Sequence, residues 1–236
     1  MLDCTRISDL RNSSVTMQSR HVESDNERYK HPNSFRYHKW IYAPYITSLI
    51  SYCGLKKGAS ILDVGCGQGF FSWLLSKNGM KVHGIDISET KIQEAQRLYG
   101  HLGVTFAVSN IETAKFPEQF DCIFVRSFSL YNVAMFPQEN RTTNNLLKYL
   151  KPRGTFVFLY NTNFSSKISK TWRYHSLADV QQHFSGYPNA RVFVLSRFTN
   201  YLLRIHSFNP YVSRLNVLLS KAFGVGVDIV CVLQNS

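Results

Sequence analysis

Apolar and polar positions change their rhythm near residue 60. Residues 1–27 are polar, mixed in charge and without sustained periodicity, so a mobile N-terminal segment is expected over 1–35. Aromatic residues then appear, and "WIYAPYITSLISYCGL" (40–55) predicts a helix, interrupted near Pro44 and ending around Gly54. Beyond a "KKG" turn, short apolar runs alternate with helical patterns. Runs at 60–64, 81–86, 104–110, 120–128, 155–160, 190–198 and 225–234 predict seven strands. Helices are predicted at 70–79, 88–100, 137–150, 176–184 and 209–224. Ser88 is the expected N-cap of the second of these, with Ile92, Ala95 and Leu98 inward, and Asn78-Gly79 the expected stop of the first. "KPRG" (151–154) predicts a turn. Strands alternating with helices define an α/β fold with a mostly parallel sheet, helices on both faces and right-handed crossovers.

Composition narrows this picture little. The 236 residues are 44% hydrophobic and 18% charged, ordinary for a globular chain. No apolar stretch approaches the roughly 20 residues that span a bilayer, and the N-terminus lacks the apolar core of a signal peptide. The five scattered cysteines have no CxxC spacing, so neither a disulfide framework nor a metal site is expected. A cytoplasmic location is.

Charge adds more. The net charge is +12, and residues 140–236 hold twelve Lys/Arg against only Asp179 and Asp228. Such a surface either keeps the chain soluble or meets an anionic partner: an acidic small molecule, an anionic membrane or nucleic acid.

The candidate chemistry starts at "ILDVGCGQGFFSWLL" (61–75). Three glycines, Gly65, Gly67 and Gly69, form the turn from the first strand into a helix. Small residues there let a ligand approach the backbone, and N–H groups at a helix start favour a negative group. A dinucleotide turn needs GxGxxG. Here the third glycine comes one position early, an acid precedes the first glycine by two residues, and bulky Phe70 and Phe71 follow. Asp86 ends the second strand, where a carboxylate can accept both hydroxyls of a ribose. Asn110 and Glu112 follow the third strand, where a polar group can meet the edge of a base.

This set resembles the class I S-adenosylmethionine-dependent methyltransferases. "LDVGCGQG" is similar to the family's first motif, with Asp63 in the acidic position. "VHGIDIS" is similar to its second strand, with Asp86 for the ribose and Ile87 beside the adenine. "VSNIE" resembles the motif after the third strand, Asn110 standing for the usual aspartate. "FDCIFVRSF" resembles the fourth strand, whose end lies under the transferable methyl. "LLKYLKPRG" resembles the "LKPGG" turn, with Arg153 for the first glycine. The resemblance implies a three-layer Rossmann-like domain over 36–236 with a seven-stranded sheet in the order 3-2-1-4-5-7-6, the last strand antiparallel. It implies S-adenosyl-L-methionine as cofactor, held by Asp63, Gly65, Cys66, Gly67, Gly69, Asp86, Ile87, Asn110, Ile111 and Arg126. The block "ERYKHPNSFRYHKW" (27–40) resembles an N-terminal helical lid, from which Arg28 or Tyr29 can reach the methionine end.

Candidates on the acceptor side follow strands four and five. His175 has the pKa range of a general base, and is otherwise a capping or packing histidine. Trp172, Arg173 and Tyr174 can clamp an acidic or planar acceptor, or simply pack. The expected acceptor is a small molecule or glycan, methylated at O or N. The alternatives are a lipid or quinone at a membrane surface, RNA, or binding of the cofactor without catalysis. Helix 209–224 places Tyr211, Leu215, Leu218 and Ala222 on one face, with Arg214 and Lys221 elsewhere. That pattern suits an ordinary helix on the sheet or a basic amphipathic helix lying on an anionic membrane.

Overall fold

The computed structural model describes residues 38–132, 138–162, 167–168, 173–196, 199, 208–224 and 226–235. Strands β1 (Ser60–Val64), β2 (Lys81–Asp86), β3 (Thr105–Val108), β4 (Phe120–Arg126) and β5 (Leu150–Thr162) pair in parallel. Strands β6 (Ala190–Ser196) and β7 (Val227–Gln234) complete the sheet, with β7 antiparallel to both neighbours. The order is β3-β2-β1-β4-β5-β7-β6, as expected.

Both faces are covered, so the central strands are apolar on alternate sides. Ile61, Phe124, Val157, Leu159 and Val230 face one core with helices α1 (Lys39–Tyr52), α2 (Phe70–Lys77) and α3 (Glu89–Tyr99). Leu62, Val64, Ile123, Val125, Phe156 and Phe158 face the other. There they meet the short α4 (Ser129–Asn132), then α5 (Gln138–Leu147) and α6 (Leu177–Phe184).

Local signals set most boundaries. Ser88 caps α3 and Asn78 ends α2, its Nδ2 donating to the Leu74 carbonyl at 2.8 Å. A capping box between Ser176 and Asp179 starts α6.

Some expectations are corrected. Helix α1 is not interrupted at Pro44, which lies inside it. A proline removes one backbone donor, and burial of Tyr45, Ile46, Leu49 and Ile50 carries the helix onward. "KPRG" is not a turn before β5 but a bulge within it. Phe120 pairs with Leu150 and Cys122 with Thr155, so the extra residues loop out. Arg153 takes a left-handed φ of 61° there, which is why a glycine suits this position. Neither α4 nor the two-residue hairpin pairing Lys167–Ile168 with Arg173–Tyr174 was signalled. The N-terminal segment, with Arg28 and Tyr29 of the expected lid, lies outside the described residues. The described helix α1 is part of the core.

Strand β6 is one edge strand of the sheet, β3 being the other, and α7 (Pro210–Phe223) packs along it. Ser213 Oγ accepts from Val194 N–H at 3.2 Å, and Asn216 Nδ2 donates to the Val194 carbonyl at 2.8 Å. The Thr199 hydroxyl donates to Asn216 Oδ1 at 2.8 Å. An edge strand presents unpaired backbone groups, so the helix turns its polar face, Ser213, Asn216 and Ser220, inward.

Candidate active site

The carboxyl ends of β1, β2, β3 and β4 lie side by side, and the predicted residues gather there. Asp63, next to last in β1, is 2% exposed and accepts the Ser72 hydroxyl of α2. Burial pushes its carboxyl up to about 7, against the Ser72 hydrogen bond and the positive charge of Arg126. Ser72 had a sequence signal, as the lone polar residue in "FFSWLL".

The three glycines have different reasons to be there. Gly65 and Cys66 N–H both donate to the Ile85 carbonyl, at 2.8 and 2.9 Å, which ties the turn to the end of β2. A Cβ on Gly65 would stand 2.6 Å from Phe128 Cδ2, and one on Gly69 2.6 Å from Phe106 Cζ. Those two positions are filled by the protein's own rings. Gly67 has φ 55° and would point a Cβ into open space, with nothing within 4 Å. Of the three, Gly67 is the one open on its Cβ side. The Cys66 thiol turns toward β2, where a Cβ on Gly84 would lie 3.0 Å from Sγ.

Asp86, 7% exposed, shapes the neighbouring strand end. Its Oδ2 accepts Gly67 N–H at 3.0 Å and its Oδ1 accepts Ser88 N–H at 2.9 Å. Each carboxylate oxygen has two lone pairs, so both keep capacity for a ligand hydroxyl. Ile87 (40% exposed) and Val108 (52%) stand at adjacent strand ends, an apolar pair that a flat base can cover. Val108, unlike Ile87, was not singled out in the sequence. Asn110 Oδ1 accepts Glu112 N–H at 3.0 Å, holding the turn after β3. Ile111 is only 6% exposed and turns into the core instead of the open side.

At the end of β4, the Arg126 guanidinium lies 4.5 Å from the Phe71 ring centroid and 6.0 Å from that of Tyr42. Tyr42 comes from α1 and meets Phe71 edge to face at 5.2 Å, so the N-terminal helix contributes to the floor of the site. Ser127 follows with a left-handed φ of 47°, then Phe128 over Gly65. These contacts join segments far apart in the chain and left no local signal.

His175 is 3% exposed, and its Nε2 donates to the Tyr131 carbonyl at 2.7 Å. Its ring meets Tyr160 edge to face at 5.2 Å. The Tyr131 hydroxyl in turn bonds Thr143 Oγ1 at 2.8 Å, which bonds His183 Nε2 at 3.1 Å. Trp172 and the side chains of Arg173 and Tyr174 lie outside the described residues.

Together, the sheet order, the acid before the glycine turn and the acid ending β2 define a class I, Rossmann-like S-adenosylmethionine-dependent methyltransferase. A family model described as a methyltransferase domain matches residues 55–192, and the chain belongs to that family. Relatives include a putative methyltransferase of Bacillus subtilis, YqeM. It is 27% identical over 162 residues, covering 68% of this chain and 61% of that protein. The ubiquinone biosynthesis O-methyltransferase of Coxiella burnetii is 32% identical over 116 residues, 48% of each. The chain thus spans about half to three-fifths of the length of these relatives.

Solved structures of the same fold include the plantazolicin methyltransferase BpumL with S-adenosylhomocysteine (SAH) and a desmethylplantazolicin analogue. Its TM-score is 0.58 at 19% identity, over 98% of this chain and 99% of that one. Phosphoethanolamine N-methyltransferase 2 of Haemonchus contortus, also with SAH, has a TM-score of 0.59 at 18% identity over 84% and 56%. The [4+2]-cyclase SpnF shares the fold as well, at 16% identity and a TM-score of 0.55 over 81% of each chain.

The residues present fit S-adenosylmethionine. An open backbone position at Gly67 adjoins a buried carboxylate with spare acceptor capacity, and two exposed apolar side chains stand at the next strand ends.

Proposed function

We propose that the protein transfers a methyl group from S-adenosylmethionine to a small-molecule or glycan acceptor, at oxygen or nitrogen. The observation that carries the cofactor side of this reading is the juxtaposition of Gly67, open on its Cβ side, with the Asp86 carboxylate that accepts its N–H. Fold alone would not suffice, since one of the neighbours is a cyclase. When bound, the cofactor would supply an electrophilic methyl group on a sulfonium.

The chain's own residues bind and orient. Asp86 would accept the ribose hydroxyls, Ile87 and Val108 would cover the base, and Gly67 would admit the methionine end beside the start of α2. Asp63, buried against Ser72, sets the turn. Arg126, over Phe71 and Tyr42, places a fixed positive charge at the end of β4. We assign His175 a positioning role: with Nε2 committed to the Tyr131 carbonyl, it holds α4 and the segment after β4.

A second reading, a lipid or quinone acceptor, is supported by the ubiquinone biosynthesis relative and by the basic C-terminal part. Incubation with methyl-labelled cofactor and fractionated extract of the source organism tests both. Label in a polar low-molecular-weight or glycan fraction supports the first reading and label in the lipid fraction the second. Label in neither contradicts both.

A further inference from the structure

Helix α7 is amphipathic in the reverse sense. Its buried residues are Ser213, Asn216 and Ser220, committed to the edge of the sheet. On the opposite side Tyr211 is 77% exposed, Leu215 40% and Leu218 66%, with Ala222 exposed beyond them and Phe223 72% exposed at the end. Spacings of four, three and four residues make 211, 215, 218 and 222 one continuous stripe. A soluble helix ordinarily buries such a stripe. Here the polar face is needed inward, so the apolar stripe is displayed.

The charge around the stripe says what it suits. Arg214 and Lys221 are exposed and fall on the same flank of it, one turn on either side of Leu218. The helix holds no acid, and no Asp or Glu occurs anywhere between Asp179 and Asp228, a span with five Lys/Arg. The whole chain carries +12. An apolar band with tyrosine at one end and cations along one side is the pattern of a helix seated at the boundary of an anionic bilayer. Among the described residues no helix is long and apolar enough to cross a membrane, so the contact is peripheral.

We propose that α7 docks the protein on anionic lipid surfaces, with Tyr211, Leu215 and Leu218 entering the headgroup–acyl boundary and Arg214 and Lys221 meeting lipid phosphates. The proposal does not rest on the methyltransferase reading. Docking would hold the carboxyl-end site at a fixed distance from the bilayer, whatever its acceptor.

Flotation of the full chain with phosphatidylcholine vesicles, with and without phosphatidylglycerol, tests it. The wild type should float with anionic vesicles only and be released by half-molar salt. Leu215→Ser with Leu218→Ser should reduce partition by roughly tenfold per leucine. Arg214→Gln with Lys221→Gln should reduce it by about fivefold per charge and flatten the salt dependence. All four side chains are exposed, so the variants should keep the wild-type melting temperature and SAH binding. Flotation unaffected by the leucine pair overturns the proposal. So does absence of flotation with anionic vesicles, including the case where the wild type instead forms a concentration-dependent dimer that the leucine pair abolishes. That last result would assign the stripe to a second copy of the chain.

Discussion

Alanine at Gly67 and alanine at Gly69 should separate the backbone that serves a ligand from the backbone that serves the fold. At Gly67 the left-handed φ of 55° costs alanine about 1 kcal/mol, and nothing lies within 4 Å of the new Cβ. Gly69 has a similar φ of 79°, but its Cβ would stand 2.6 Å from Phe106 Cζ and 3.0 Å from Ala95 Cβ. Phe106 is a core ring of β3, so overpacking adds about 1–3 kcal/mol and the total reaches about 2–4 kcal/mol. Binding should show the reverse order. A methyl on Gly67 enters the space over the strand ends and should weaken SAH by tenfold or more, about 1.4 kcal/mol. Gly69→Ala, where still folded, should bind within a few-fold of wild type. Urea unfolding gives the first quantity and calorimetric titration with SAH the second. Wild-type affinity in Gly67→Ala, with binding lost in a folded Gly69→Ala, would refute the assignment.

Three further substitutions probe the same site. Asp86→Asn leaves one acceptor and turns an amide N–H₂ toward Gly67 or Ser88 N–H. It should cost about 1–3 kcal/mol of stability and lower cofactor affinity by about 100-fold, so unchanged titration would remove Asp86 from ribose recognition. Asp63 has a raised carboxyl pKa, about 7 when folded against about 4 unfolded. Over that window the unfolded chain has lost a proton that the folded chain keeps, so this group's contribution to stability falls as pH rises from about 4 to 7 and is level above. Asp63→Asn should therefore remove that decline and be more stable than wild type at pH about 8, by on the order of 2–4 kcal/mol. Parallel urea stabilities of the two proteins at all pH values would contradict it. His175→Ala loses the donor to the Tyr131 carbonyl and leaves a cavity. It should lower stability by about 2–4 kcal/mol while leaving the shape of the pH–rate profile intact, and loss of its acidic limb would make His175 the general base instead.

Much of this architecture was legible because buried parallel strands are short apolar runs that stop at polar or small residues. Asp63 before the glycines and Asp86 before Ser88 mark strand ends in the sequence, and strand ends are where this fold builds its site. What stayed hidden depends on contacts between distant segments. Nothing near Gly65 says that Phe128 covers it, and nothing near Gly69 says that Phe106 fills its side. Ile111 reads like Ile87 in the sequence, yet one is buried and the other open. The stretch "KPRG" has turn residues, but pairing of β5 on both flanks absorbs them as a bulge. Helix α7 shows its two faces in sequence, and the pattern alone does not tell which is inward. That follows only once β6 is known to be an edge strand whose Val194 backbone groups need polar partners.

The central claim is that the β1–β2 strand ends hold S-adenosylmethionine, and calorimetric titration of the full chain with that cofactor tests it most directly. The account predicts saturable one-to-one binding that Gly67→Ala and Asp86→Asn weaken without unfolding the protein. Absence of heat up to millimolar cofactor, from a chain that melts cooperatively, would contradict it.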